Sequence, residues 1–232
     1  MDTILYFCYS FIYIILFITG MLFIRQDRSF LSSSSFLLLI TFGLIVDNLI
    51  IASGKFIGDG PLLEMLNASR FWSHGFITPT LILFGWGMAK RVHIPFSEKN
   101  IASYFFFFLT VGLIIYEFII NMHKTFVPVY KYGVLRYVSM ESSGPPLMVL
   151  IVTFTLLVIS LNIYVRTRWI WMLLGVLVMI VGSAIPIPLE SSAVTNAFEL
   201  IFLCLLWLTN YKLDPHFPQK ENSLEIQGKS VK

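Results

Sequence analysis

Asp47 and Asn48 stand side by side in GLIVDNLIIASG, residues 43–54, within an apolar run long enough to cross a bilayer. An aspartate near the centre of a membrane helix costs about 2.5–3.5 kcal/mol to insert, so it is expected to face protein or water and to have a partner. Without a cation nearby, its carboxyl would keep a proton and could act as a general acid. Paired with Arg70 or His74, it would stay ionised. Other reactive side chains also fall in apolar surroundings: Arg70 and His74, then Glu117 with Asn121, then Asn196 with Glu199. Three carboxyls, an imidazole and several amides suit proton transfer and polar recognition. A nucleophilic serine has no base signalled near it.

The elements that must position these groups are set by composition. Of 232 residues, 57% are hydrophobic and 12% charged, with a mean hydropathy of +0.81, which excludes an ordinary soluble domain. Seven apolar runs, at about 4–24, 36–53, 71–89, 101–121, 146–165, 169–186 and 195–211, are each near the length a bilayer core requires. The expected fold is therefore all-α: a polytopic membrane protein with a seven-transmembrane helix bundle over residues 1–211 and a disordered cytoplasmic tail over 212–232. The first run has no basic segment ahead of it and no small-residue cleavage site behind it, so it reads as a retained span. Cys8 and Cys204 fall within spans and read as small apolar side chains.

Charge sets the expected orientation. With seven spans, one side of the membrane receives eleven of the 16 Lys and Arg residues, including Arg25, Arg28, Lys90, Arg91, Arg166 and Arg168. The positive-inside tendency then places the N-terminus outside and the C-terminus in the cytoplasm, with the plasma membrane as the expected location. A net charge of +3 gives no nucleic-acid footprint, and the expected partner is the lipid bilayer. On the outer side, GKFIGDGPLLEMLNASRFW has Pro61 at a good first-turn position before LLEML, which predicts a short helix lying on the membrane surface. Asn67-Ala68-Ser69 also matches a glycosylation sequon there. Glu141, Ser142 and Ser143 before Pro145-Pro146 read as a loop and cap.

Converting residue number to depth at about 1.5 Å per residue puts Asp47, Asn48, His74, Glu117, Asn121, Ser183, Pro186, Asn196 and Glu199 at one level, in the outer third. A turn of about 100° per residue aligns Asp47 with Gly43 and Gly54, and turns Asn48 onto a second face with Thr41 and Ala52. It also groups Arg70, His74 and Thr78 on one face, Thr110, Glu117 and Asn121 on another, and Asn196, Glu199 and Asn210 on a third. Polar stripes on several spans at one level predict an internal cavity. The competing reading is a structural clamp between helices. The phenylalanines of YFFFF at 104–108 are read first as facing lipid or a neighbouring helix.

Known seven-span families differ at particular residues. No lysine lies within 195–211 to carry retinal. His74 alone does not supply the several zinc-binding histidines of ceramidase-type hydrolases, although Asp47, Glu117 and Glu199 could complete an oxygen-rich site for a harder metal. A Pro-Gln pair occurs only at 218–219, in the tail. In size, span count and acid placement the chain is similar to the fungal-type membrane-bound terpene cyclases. That likeness of layout, carried by no extended motif, implies Asp47 and Glu199 as the acids that protonate an isoprenoid.

The functional expectation is an enzyme binding or transforming a lipid-soluble substrate, with Asp47, Glu199 and Glu117 as catalytic or charge-stabilising groups. Asn48, His74, Arg70, Asn121 and Asn196 would bind substrate. A small-solute or proton-coupled transporter and a non-catalytic membrane partner or sensor are the alternatives. The sequence names no cofactor, metal or oligomeric state.

Overall fold

A computed structural model describes residues 2–24, 32–140, 147–184 and 191–214. Arg25, Arg28, residues 141–146, Pro186 and the tail from 215 lie outside the described residues, as does the Ser183 side chain. The described chain is mostly helical: α1 (Asp2–Ile24), α2 (Ser33–Ile57), α3 (Pro61–Ile77), α4 (Thr80–Arg91), α5 (Asn100–Asn121), α6 (Leu147–Thr167), α7 (Trp171–Ala184) and α8 (Val194–Lys212). Between α5 and α6 lies a hairpin of β1 (Phe126–Lys131) and β2 (Val134–Ser139). Five helices, α1, α2, α5, α6 and α8, are long and apolar enough to cross a membrane. α7 is apolar but shorter, and the third apolar run is divided between α3 and α4.

That division has a local cause. Pro79 has no backbone N–H to donate to the Gly75 carbonyl, so the α3 ladder stops. The chain makes a tighter turn, with Leu81 N–H bonding to Thr78 O and Ile82 N–H to Pro79 O, before α4 resumes. The expected surface helix is likewise not separate. Pro61 at the first turn starts α3 as anticipated, but the helix then runs without interruption to Ile77.

Residues 126–139 form an antiparallel hairpin that pairs Lys131 with Val134 and Phe126 with Ser139. Its two-residue turn, Tyr132-Gly133, has positive φ at both positions (54° and 82°), the geometry whose twist matches that of paired strands. Three contacts dock the hairpin. Thr3 Oγ1 donates to Gly133 O at 2.7 Å, Tyr137 Oη donates to Asp59 Oδ1 at 2.5 Å, and the Leu135 carbonyl rests directly on Gly54, where a Cβ would overlap it.

α2 is the central element, packed against α1, α3, α4, α8 and the hairpin. The main apolar core joins Leu37 and Ile40 of α2 to Ile82, Phe84 and Met88 of α4, Leu156 and Ile159 of α6, and Leu206 of α8. Away from the hairpin, Arg91 Nη1 donates to Asn210 Oδ1 at 2.9 Å, Asn210 Nδ2 donates to Ser34 Oγ at 3.0 Å, and Asp214 lies 3.6 Å from Arg91. This buried polar tie joins α2, α4 and α8 at the end away from the hairpin. Asn210, grouped by helical phase with Asn196 and Glu199, belongs here.

Candidate functional site

The adjacent residues Asp47 and Asn48 serve two different neighbours. Asp47 turns toward α3, where Arg70 Nε donates to its Oδ1 at 2.7 Å. Asn48 is fully buried and turns toward α8: Asn196 Nδ2 donates to Asn48 Oδ1 at 3.3 Å, while Asn48 Nδ2 donates back to Leu44 O at 2.8 Å. Thr41, on the same face as Asn48, accepts a bond from Trp207 Nε1 of α8 at 3.0 Å. One polar face of α2 thus binds α3 and the next binds α8.

Between these contacts lies a cavity of about 280 Å3, close to the lower end of the roughly 300–1,000 Å3 usual for ligand pockets. α2 provides its floor through Gly43, Leu44 and Asp47. α3 brings Arg70, Ser73 and His74 to one wall, and α8 brings Asn196, Glu199 and Phe202 to the other. Most of the remaining lining is apolar, including Ile40, Ile77, Leu81, Met179 and Leu203. Among the described residues α3 packs on α2, α5 and the hairpin but not substantially on α6, α7 or α8, so the two walls stand apart.

The polar groups in the cavity differ in how they are held. Arg70 is fixed at two points, since its Nη1 also donates to Asn67 Oδ1 at 2.9 Å while Asn67 Nδ2 donates to Leu63 O. Asn67 is fully buried in this arrangement, so the sequon asparagine is part of the scaffold. His74 shares a 3.2 Å hydrogen bond with Thr78 through Nδ1, which leaves Nε2 for another partner. Glu199 is half-buried and has no hydrogen bond or ion pair among the described residues.

No protein-family model, curated protein or solved structure matches this chain, so its chemistry must be argued from the cavity itself.

Of the residues singled out in the sequence, Asp47, Arg70, His74, Asn196 and Glu199 line this one cavity, and Asn48 supports Asn196 from behind. Glu117 and Asn121 do not reach it. Their face of α5 packs against the far side of α3 at Gly75, and Asn121 bridges the Phe71 carbonyl and the Lys124 ammonium at 3.2 and 2.7 Å. Among the described residues no three His, Cys, Asp or Glu side chains are grouped to hold a metal ion.

One lining residue was missed. Arg136, on β2, enters from the hairpin. Charge and hydropathy do not mark its position; the available signal is Tyr-Gly between VPVYK and VLRYV, a turn flanked by strand-forming residues. Arg136 is placed by its neighbours, the Leu135 carbonyl on Gly54 and the Tyr137 hydroxyl on Asp59. The bond to the Asp59 carboxylate, with a smaller contribution from burial, raises the Tyr137 hydroxyl above its ordinary range.

Proposed function

We propose that this chain is an integral membrane enzyme of seven passes, α3 and α4 together forming one, that carries out acid–base chemistry on a lipid-soluble substrate. The hairpin end faces outward and the C-terminus lies in the cytoplasm. The observation that carries the reading is the joint placement of His74 and of Glu199, whose side chain has no partner among the described residues, around a largely apolar cavity, beside an Asp47 carboxylate held by Arg70.

The roles follow from how each group is held. Asp47, ion-paired with Arg70, acts as a fixed charge beside the substrate. Glu199, whose side chain has no partner among the described residues, gives or takes the proton at the substrate. His74 presents Nε2 to the same space, and Asn196 orients a polar group on the substrate. Glu117 and Asn121, behind α3, position that helix. A hydrocarbon chain enters the cavity sideways from the membrane.

The test uses proteoliposomes made with lipid extract from the expression host, comparing wild type with Glu199→Gln by untargeted lipid mass spectrometry over time. One lipid species falling while another rises, in wild type only, is the expected result. An unchanged lipid profile with folded wild type would reject the enzyme. A second reading, a carrier, is favoured by the helix break at Thr78-Pro79 beside His74, because broken helices at binding sites are common in carriers. Accumulation of solute inside the vesicles without chemical change would select it.

A further inference from the structure

Resting on the reading of this cavity as a lipid-substrate site, we infer that the ligand is an amphiphile whose head is an oxyanion, carboxylate or phosphate, held by Arg136.

Two guanidinium groups line the cavity, and they are held differently. Arg70 is occupied by Asp47 and Asn67. Arg136 is half-buried, and its guanidinium makes no hydrogen bond or ion pair among the described residues. The remaining carboxyl of the cavity, Glu199, forms no ion pair with it. A guanidinium drawn partly out of water loses hydration that only a partner can restore. Its planar fork fits the paired oxygens of a carboxylate or phosphate better than any neutral head.

The backbone around Arg136 is also pre-set. Leu135 rests on Gly54, Tyr137 is bonded to Asp59, and Arg136 itself faces Val129 across the ladder. Little ordering remains to be done when an anion arrives. Apart from Arg136 and the polar groups of Asp47, Arg70, His74, Asn196 and Glu199, most of the lining is apolar, including Ile51, Leu44, Ile40 and Leu203. A volume of about 280 Å3 takes a head group and the start of a chain, so the rest of the tail leaves the cavity into the bilayer.

The test is binding of dodecyl phosphate, dodecanoic acid and dodecanol to the full chain in zwitterionic lipid nanodiscs, for wild type, Arg136→Gln, Arg136→Lys and Lys131→Gln. In wild type, one or both acids should bind at least tenfold more tightly than the alcohol, and whichever acid does so identifies the head. Arg136→Gln should reduce the acids to the level of the alcohol, Arg136→Lys should keep part of the preference, and Lys131→Gln, on the same hairpin, should keep all of it. Equal binding of acids and alcohol to wild type, no binding of any probe, or an acid preference surviving Arg136→Gln would overturn the inference. None of these readings involves turnover. An anion preference without lipid conversion would therefore keep the binding site while rejecting the enzyme.

Discussion

Arg70 of α3 donates from Nε to the Asp47 carboxylate of α2 at 2.7 Å, with the two side chains only 14% and 21% exposed. This ion pair makes an aspartate in an apolar helix tolerable, and it fixes one wall of the cavity. A charged hydrogen bond of this kind contributes about 1.5–3 kcal/mol. Asp47→Asn and Arg70→Gln should each destabilise the protein by about that much, and the double variant should cost clearly less than the sum. Denaturant titrations in detergent micelles would read the cycle. Additive losses would show that the two side chains do not depend on each other.

The hairpin depends on a glycine it does not contain. Gly54→Ala puts a methyl group where the Leu135 carbonyl lies, so the hairpin must lift and carry Arg136 with it. Gly112→Ala is the matched control: in α5, a Cβ at Gly112 meets nothing within 4 Å. It should stabilise by about 0.5–1 kcal/mol through reduced chain entropy. Thermal unfolding would compare the two, with proteolysis within residues 126–139 as a second readout, accelerated in Gly54→Ala alone.

The bond between Tyr137 and Asp59 gives the hairpin a pH limit. Bonding to the carboxylate raises the folded-state pKa of the Tyr137 hydroxyl above its unfolded value, near 10. The folded state therefore holds this proton more tightly. The contribution to stability is complete below about pH 10 and is lost as pH rises through the folded-state value. Difference absorbance against Tyr137→Phe should show this tyrosine ionising above pH 10, and Asp59→Asn should move the transition down. An unchanged transition in Asp59→Asn would refute the assigned cause.

Five of the seven apolar runs hold helices long and apolar enough to cross a membrane, because apolar composition and length alone suffice for that inference; the sixth run holds the shorter α7 and the third is divided between α3 and α4. The merging of the surface helix with the third run was not legible. Pro61 gives a start, but nothing in LLEMLNASRFW marks a stop, and the break comes later, at Pro79. Helical phase separated Asp47 from Asn48 correctly, since a turn of about 100° must send them to different neighbours. Level in the membrane, however, does not specify which side of a neighbouring helix a group faces. Glu117 and Asn121, expected at the level of Asp47, lie behind α3 rather than inside the cavity. Arg136 was hidden for the converse reason: a loop charge enters the cavity only because β1 and β2 pair and fold back over Gly54.

Under the proposed function, the space between α2, α3 and α8 binds a lipid-soluble molecule beside Asp47 and Glu199. Native mass spectrometry of the gently purified protein, with elemental analysis, tests this most directly on wild type, Glu199→Gln and Asp47→Ala. The account predicts a lipid-soluble adduct on wild type, weakened in Glu199→Gln and lost in Asp47→Ala. Adduct-free spectra for all three proteins, with Asp47→Ala as stable as wild type, would contradict it and leave the Asp47–Arg70 pair without a ligand to serve.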